Sequence, residues 1–388
     1  MRGSITRRGK QSWRIKYDAG RHPTTNARQT KFKTIKGTKA DAQRELNRQL
    51  HLLETGEHVD PRKRSVAEFL NEWLKMMTSR VSGKTHERYA EIVEKHLIPN
   101  LGAMQLQKLS AIQVEEYYSV ALASGRRNGR GGLSPRTVLH HHRVLHSALT
   151  KAVRLRLVPR AVTGDVDPPR PRRAEISVLE GDKMGQLVRA ADGSNWYLPL
   201  FLAVTTGLRR GEILGLRWGD VDLANKRLHV SQVVSETKGQ LQFKEPKTAR
   251  GRRVVTLPNV TVEALKAYRA EQAVKWLALG VGRDDATLLF SDDGGNALVP
   301  SSMTKAVSYF LAKIGAPWAS LKTLRHSHAT QLLKSGTHPK VASERLGHSS
   351  VSITLDIYSH VLPSMQEDAA TAIDAAMRPS LERKDDKK

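Results

Sequence analysis

The 388-residue chain has no cysteine, which excludes disulfide bridges, Cys-ligated zinc and a thiolate nucleophile. It also lacks any apolar run long enough to span a bilayer, and the residues after Met1 carry none of the hydrophobic stretch of a secretory signal. A soluble, cytoplasmic protein without a membrane partner is therefore expected. Acid is scarce: 38 Asp and Glu stand against 64 Lys and Arg, a formal charge of +26. Such an excess attracts polyanions and makes nucleic acid the first partner to consider. The shortage is uneven, because residues 1 to 40 hold twelve Lys or Arg and a single acid, Asp18. Hydrophobic residues make up 39%, enough for packed cores in two or three domains.

In the basic N-terminal stretch, Trp13, Ile15 and Tyr17 alternate with Arg14 and Lys16, and Phe32 and Ile35 sit among Lys31, Lys33 and Lys36. The alternation predicts two strands that pack one face on a helix and present Arg14, Lys16, Lys31 and Lys33 on the other. The helix is expected over Lys39 to Glu54, with Ala42, Leu46, Leu50 and Leu53 on its apolar stripe. A cationic sheet of this kind suits a DNA groove. After a linker at Thr55 to Arg64, helical spacing recurs at Val66, Phe69, Leu70, Trp73 and Leu74, then at Tyr89, Ile92, Val93 and His96. It returns at Val114, Tyr117 and Tyr118, and last over Val138 to Leu157. A four-helix bundle follows from that pattern. His140, His141, His142 and His146 are read as a helix face turned to DNA or solvent, since a metal site would need an acidic or Cys partner nearby. The Pro- and Arg-rich Val158 to Arg173 reads as an extended basic linker.

The third region is expected to begin near Ile176, with helices over Asp182 to Ala191 and Trp196 to Thr206 and a turn at Gly207 into a helix carrying Arg209 and Glu212. Strands are predicted over Arg227 to Val234, Leu241 to Glu245 and Arg252 to Leu257, so that Lys247 sits on a hairpin, with Lys244 as its rival. Lys322, Arg325, His326, His348 and Tyr358 then fall within 37 residues. Ser320 caps a helix whose first turn carries Lys322 and, one turn on, Arg325, so two cations lie beside an anion-attracting N-terminus. Gly336 and Gly347 suit left-handed helix ends, which sets His348 on a tight turn and Tyr358 late in a further short helix. His326 and His328 read as packing or hydrogen-bonding residues. An Ala-rich helix over Asp368 to Met377 and a charged tail close the chain.

The order TGLRRGE at 206 to 212, the Pro-Lys-Thr at 246 to 248, LRHSHAT at 324 to 330, LGH at 346 to 348 and Tyr358 resembles the tyrosine recombinase (phage integrase) family. GKTHERY at 83 to 89 and LIPNLG at 97 to 102 resemble its core-binding domain. Lys322 stands where the family usually begins its HxxR pair with His. The resemblance implies a multidomain, mainly α chain with small β-sheets. Its parts would be a sheet-plus-helix arm-binding module at 1–58, a helical core-binding bundle at 65–158 and a basic linker at 159–175. A mostly helical mixed α/β catalytic domain at 176–362 and a C-terminal helix and tail at 363–388 would complete it. It implies that Arg209, Lys247, Lys322, Arg325, His348 and Tyr358 surround a scissile phosphate, with Tyr358 as nucleophile, Lys247 as general acid and Glu212 in support. It implies a 3′-phosphotyrosine intermediate, no metal or other cofactor, double-stranded DNA with core and arm sites as partner, and a homotetramer on that DNA. A DNA-bending host protein and an excision factor are possible helpers. A type IB topoisomerase and a catalytically inactive DNA-binding protein are the rival readings. A separate basic module argues against the first, and the intact constellation against the second.

Overall fold

The computed structural model describes residues 3–21, 28–54, 64–172, 177–246, 249–278, 280, 282, 284–358 and 365–382. The chain divides into two compact units, residues 1–173 and 174–388.

Strands β1 (Gly3–Gly9), β2 (Ser12–Arg21) and β3 (Arg28–Lys36) form an antiparallel sheet in that order, backed by helix α1 (Lys39–Glu54). Thr38 starts α1: its hydroxyl accepts from the Asp41 N–H at 3.2 Å while the Asp41 carboxylate accepts from the Thr38 N–H at 2.8 Å. Strand β1 adds to the two expected, and in its sequence GSITRRG only Ile5 packs against the small core of Ile15, Tyr17, Ala42 and Leu46. The expected single cationic face needs correction. Residues directly opposite in an antiparallel pair share a face, and the register sets Tyr17 against Lys31, Ile15 against Lys33 and Lys16 against Phe32. Lys31 and Lys33 are thus in phase with the helix-packed Ile35, and Lys33 meets Glu45 of α1 at 2.7 Å. Arg14 and Lys16 keep the open face, with their cations 4.2 and 6.0 Å from the centre of the exposed Phe32 ring.

The bundle consists of α2 (Val66–Met77), α3 (Gly83–Ile92), α4 (Ile98–Leu101), α5 (Ala111–Ser124) and α6 (Pro135–Arg154). Ser65, Ser82, Ser110 and Ser134 each cap a helix through the side-chain oxygen. A π-helical turn over Val93–Leu97 joins α3 to α4, and Pro99 is tolerated because it falls in the first turn of α4. Of the four histidines of α6, His140 and His146 are exposed as expected, but His141 and His142 turn toward the facing helix. His141 is buried, and the Tyr117 hydroxyl lies 2.7 Å from its Nδ1; Tyr118 and His142 repeat the contact at 2.8 Å. Adjacent tyrosines on one helix thus meet adjacent histidines on the facing helix, and Tyr117 supplies the partner that the buried His141 imidazole requires. The linker reading is also corrected in part. Val158 and Val166 belong to the bundle core, and a 3₁₀ turn over Val162–Asp165 sets Thr163 against His146 Nδ1 at 2.9 Å.

The second unit opens with α7 (Gly181–Ala190), α8 (Tyr197–Thr206) and α9 (Arg210–Ile213). Strands β4 (Val221–Asp222), β5 (Arg227–Val230), β6 (Val233–Thr237), β7 (Gln240–Lys244) and β8 (Arg253–Thr256) follow. They form two sheets, β4-β5-β8 and β6-β7. The expected strand over 227–234 therefore breaks at Ser231 and Gln232, and its two halves take different partners. No hairpin joins β7 to β8, contrary to the expectation, because β7 turns back on β6 and β8 pairs with β5. Lys247 and Thr248 lie between them, outside the described residues. Helices α10 (Asn259–Ala278), α11 (Pro300–Lys313) and α12 (Leu321–Lys334) complete a core that includes Leu187, Leu200, Ile213, Leu228, Leu265 and Leu311. α13 (Pro339–Leu346) joins α12 through a separate small core of Ala329, Leu333, Ala342 and Leu346. α14 (Val351–Tyr358) and α15 (Met365–Glu382) end the fold, the latter extending past the expected span on both sides. Among the described residues no helix is long and apolar enough to cross a membrane.

Tyr117→Phe tests the buried pairs of the bundle. Removing the hydroxyl while His141 stays buried should cost about 1–3 kcal/mol, seen as a lower melting temperature of the intact chain. An unchanged melting temperature would show that the contact contributes nothing.

Candidate active site

The end of α13 gathers the charged groups that the sequence singles out. Gly347 is left-handed at φ +65°, its N–H bonds Glu344 O and the His348 N–H bonds Ser343 O at 3.1 Å, which closes the helix as a Schellman motif. That motif satisfies the carbonyls of residues 343 and 344. The next three accept from three arginines: Arg253 Nε donates to Arg345 O at 2.7 Å, Arg325 Nη2 to Leu346 O, and Arg209 Nη2 to Gly347 O at 3.0 Å. Helix-terminal carbonyls lack intrahelical partners and carry the negative end of the dipole, so they suit guanidinium groups.

Each arginine is fixed from a second side. Gly207, left-handed at φ +66°, ends α8 and offers its carbonyl to Arg325 Nη1 at 2.8 Å. Arg209 precedes α9, and Glu212 in the first turn accepts from the Arg209 N–H at 2.8 Å and from Nη1 at 2.7 Å. The same carboxylate accepts from Arg253 Nη2 at 2.8 Å and Nη1 at 3.2 Å. The Glu212 and Arg253 side chains are 2% and 7% exposed, whereas Arg209 is 47% exposed. Glu212 is therefore shared, with a buried arginine behind and an accessible one in front. Burial raises the Glu212 carboxyl, but the bonds from Arg253 and Arg209 outweigh it and hold the group below the usual range.

Three histidines line the cluster, each drawn down to about 4. For His348 burial acts first, then Arg325 and Arg209; its Nδ1 lies 2.8 Å from the Thr354 hydroxyl of α14. For His326 burial is followed by Lys322 and Arg325, and for His328 by Arg345. His328 has a defined tautomer: Val204 O at 3.0 Å can only accept from Nδ1, and Arg345 Nε at 3.2 Å can only donate to Nε2. Arg345 also donates to Thr256 O and Thr205 O at 2.8 and 3.3 Å, which ties α13 to β8 and α8.

Arg209, Glu212, Arg325 and His348 thus come together as the sequence suggests, and Ser320 caps α12 as expected. Lys322 is exposed, one turn before Arg325. Tyr358 ends α14, one turn after the buried Thr354, and its side chain lies outside the described part of the structure. Arg253, Arg345 and Thr354 escaped the sequence reading. Arg253 left a signal, since it stands in phase with the buried Val255 on β8, and an inward arginine in a strand calls for a buried acid. Among the described residues no three His, Asp or Glu side chains gather as a metal site.

The phage integrase family matches residues 177–365, and the N-terminal SAM-like domain of phage integrases matches residues 65–120. A tyrosine recombinase XerC-like protein of Caldanaerobacter subterraneus subsp. tengcongensis is 27% identical, over 95% of this chain and 97% of its own length. An integrase of Streptomyces ambofaciens is 26% identical over 88% of both chains. In structure the chain is similar to the Tn1549 transposon integrase bound to transposon right end DNA, at a TM-score of 0.65, 18% identity and coverage of 80% and 99% of the two chains. It is also similar to the lambda integrase tetramer bound to a Holliday junction, at a TM-score of 0.55, 16% identity and coverage of 91% and 94%. The chain belongs to the phage integrase family of tyrosine recombinases, enzymes that cleave and rejoin DNA strands at specific sites.

The buried histidines give the fold a defined acid sensitivity. His141, His326, His328 and His348 titrate near 4 when folded and near 6.5 when unfolded, so between these values the unfolded chain binds more protons. Stability then rises with pH across this window and is lost as pH falls through it. The melting temperature should drop steeply from pH 6.5 to 4 and change little from 6.5 to 8; a flat profile below 6.5 would contradict the neutral assignments.

Proposed function

We propose that this recombinase integrates or excises a mobile element or prophage through a 3′-phosphotyrosine intermediate, with Tyr358 as nucleophile. The observation that carries the reading is the placement of Arg209 and Arg325 on adjacent carbonyls beside His348. Two fixed guanidinium forks and an imidazole on one turn suit a phosphate with two non-bridging oxygens. Tyr358 Oη attacks phosphorus, the bond to the 5′ oxygen breaks, and Lys247 protonates that oxygen as it leaves. Because one phosphodiester replaces another, the bond energy is kept for rejoining. An ordinary tyrosine is about one part in a thousand ionised at pH 7, a deficit of about 4 kcal/mol that the clustered cations offset. His348, held neutral, keeps Nδ1 on Thr354 and turns Nε2 to the phosphate, and Lys322 contributes a point charge.

The module over residues 1–58 reads arm-type DNA with its open face of Arg14, Lys16 and Phe32, while the bundle at 65–158 and the domain at 176–362 grip the core site. The linker at 159–175 joins these two grips, and the segment from 363 docks on the next protomer. The similar lambda integrase is a tetramer on a Holliday junction, and the same assembly is proposed here, in the cytoplasm, with a DNA-bending host protein and an excision factor as accessories.

Two substitutions test the roles, on attachment DNA taken from the borders of the element that carries this gene. Tyr358→Phe should bind that DNA like the parent and form no covalent adduct; any adduct removes Tyr358 from the mechanism. Lys322→Ala should slow cleavage about ten- to a thousand-fold, as expected for loss of one preorganised donor. Cleavage at the parental rate would place Lys322 outside the site.

A further inference from the structure

Arg253 lies behind the residues that face DNA, and its bonds are unusual for a strand arginine. It is 7% exposed, and its guanidinium is spent on the two Glu212 oxygens, Arg345 O and Gly251 O. Neither its burial nor its partners leave it free to reach a phosphate. Glu212 is also the sole carboxylate bonded to Arg209 among the described residues. Without Arg253 the Glu212 carboxylate would be bonded only to Arg209, through its N–H and Nη1, with nothing behind it to set the direction of the pair. Clamped from behind by Arg253, it becomes a fixed anchor.

We propose that Arg253 is a positioning residue for strand cleavage. It acts through the Glu212 carboxylate to hold the Arg209 fork toward the reacting phosphate, and through Arg345 O to hold the turn that Arg209 and Arg325 also bond. The inference rests on the reading of Arg209 as a phosphate ligand. Arg253 touches neither DNA nor the leaving group, so its loss is felt in the rate of the bound complex and not in DNA affinity. The flexible ammonium of a lysine can pair with Glu212 but cannot span both carboxylate oxygens and the Arg345 carbonyl, so charge alone is an incomplete substitute.

The test uses the full chain and a nicked duplex from the element's border that the parent converts to a covalent adduct. Single-turnover rates and half-saturating DNA concentrations are measured for Arg253→Lys and Arg253→Met, alone and combined with Arg209→Lys. Arg253→Met should slow adduct formation at saturating DNA about ten- to a thousand-fold with half-saturation within about threefold of the parent, and Arg253→Lys should recover part of the rate. In the Arg209→Lys background the further loss from Arg253→Met should be clearly smaller than in the parent, because the fork it holds through Glu212 is already gone and only the share carried by the turn and Arg325 remains. If Arg253→Met does not fold, Arg253→Lys carries the same comparison. Parental rates in the Arg253 variants, or equal losses in both backgrounds, overturn the proposal. So does a rise in half-saturation that accounts for the whole loss. Arg209→Lys at the parental rate would instead show that the phosphate reading of Arg209 had failed, a separate result from failure of Arg253 to act through it.

Discussion

Everything chemical in the second unit depends on what happens to the free carbonyls at the end of one eight-residue helix. The Schellman closure of α13 uses two of them internally, and three arginines from three distant segments take the next three in sequence. Guanidinium groups so close together repel, and the arrangement stands because the helix dipole and the Glu212 carboxylate are both directed at them. A dipole contributes only about 0.3–1 kcal/mol per exposed charge, so most of the compensation falls to Glu212. Three guanidiniums against one carboxylate leave two positive charges over, a surplus that suits a phosphodiester gaining negative charge as it is attacked.

That surplus shapes the neighbouring imidazoles. A histidine beside arginines and out of water has two reasons to stay neutral, and His326, His328 and His348 all do. Neutrality gives each ring one donor and one acceptor, so the histidines serve as joints: His328 links α8 to Arg345, and His348 links the α13 turn to α14. The cluster is thus cationic at the arginines and uncharged around them. The positive charge is confined to groups with fixed direction.

Much of this was legible in the sequence because its signals are local. Ser320 as a cap, Gly207 as a turn, Gly347 as a left-handed residue, and Arg209 three residues before Glu212 are each decided within one turn of helix. The errors came where the partner is remote. Phe32 and Ile35 fall on opposite faces of their strand, so the residues near Lys31 and Lys33 leave open which face meets the helix until the β2–β3 register is known, and the alternation over 227–234 conceals that its two halves pair with different strands. His141 and His142 looked like an outward face because Tyr117 and Tyr118, which satisfy them, stand 24 residues earlier. Arg253 was readable in principle from its phase with Val255, but its acid lies 41 residues upstream.

The small core of Ala329, Leu333, Ala342 and Leu346 has a further bearing on how α13 is held. The cluster is set apart from the main core and two of its four side chains are alanines, so it offers α13 little apolar surface to bury. Much of the attachment therefore falls to polar bonds, from Arg345 to Thr256 O and Thr205 O and from Arg253, Arg325 and Arg209 to the last carbonyls. The guanidiniums that the turn orients thus also fasten the helix that ends in it.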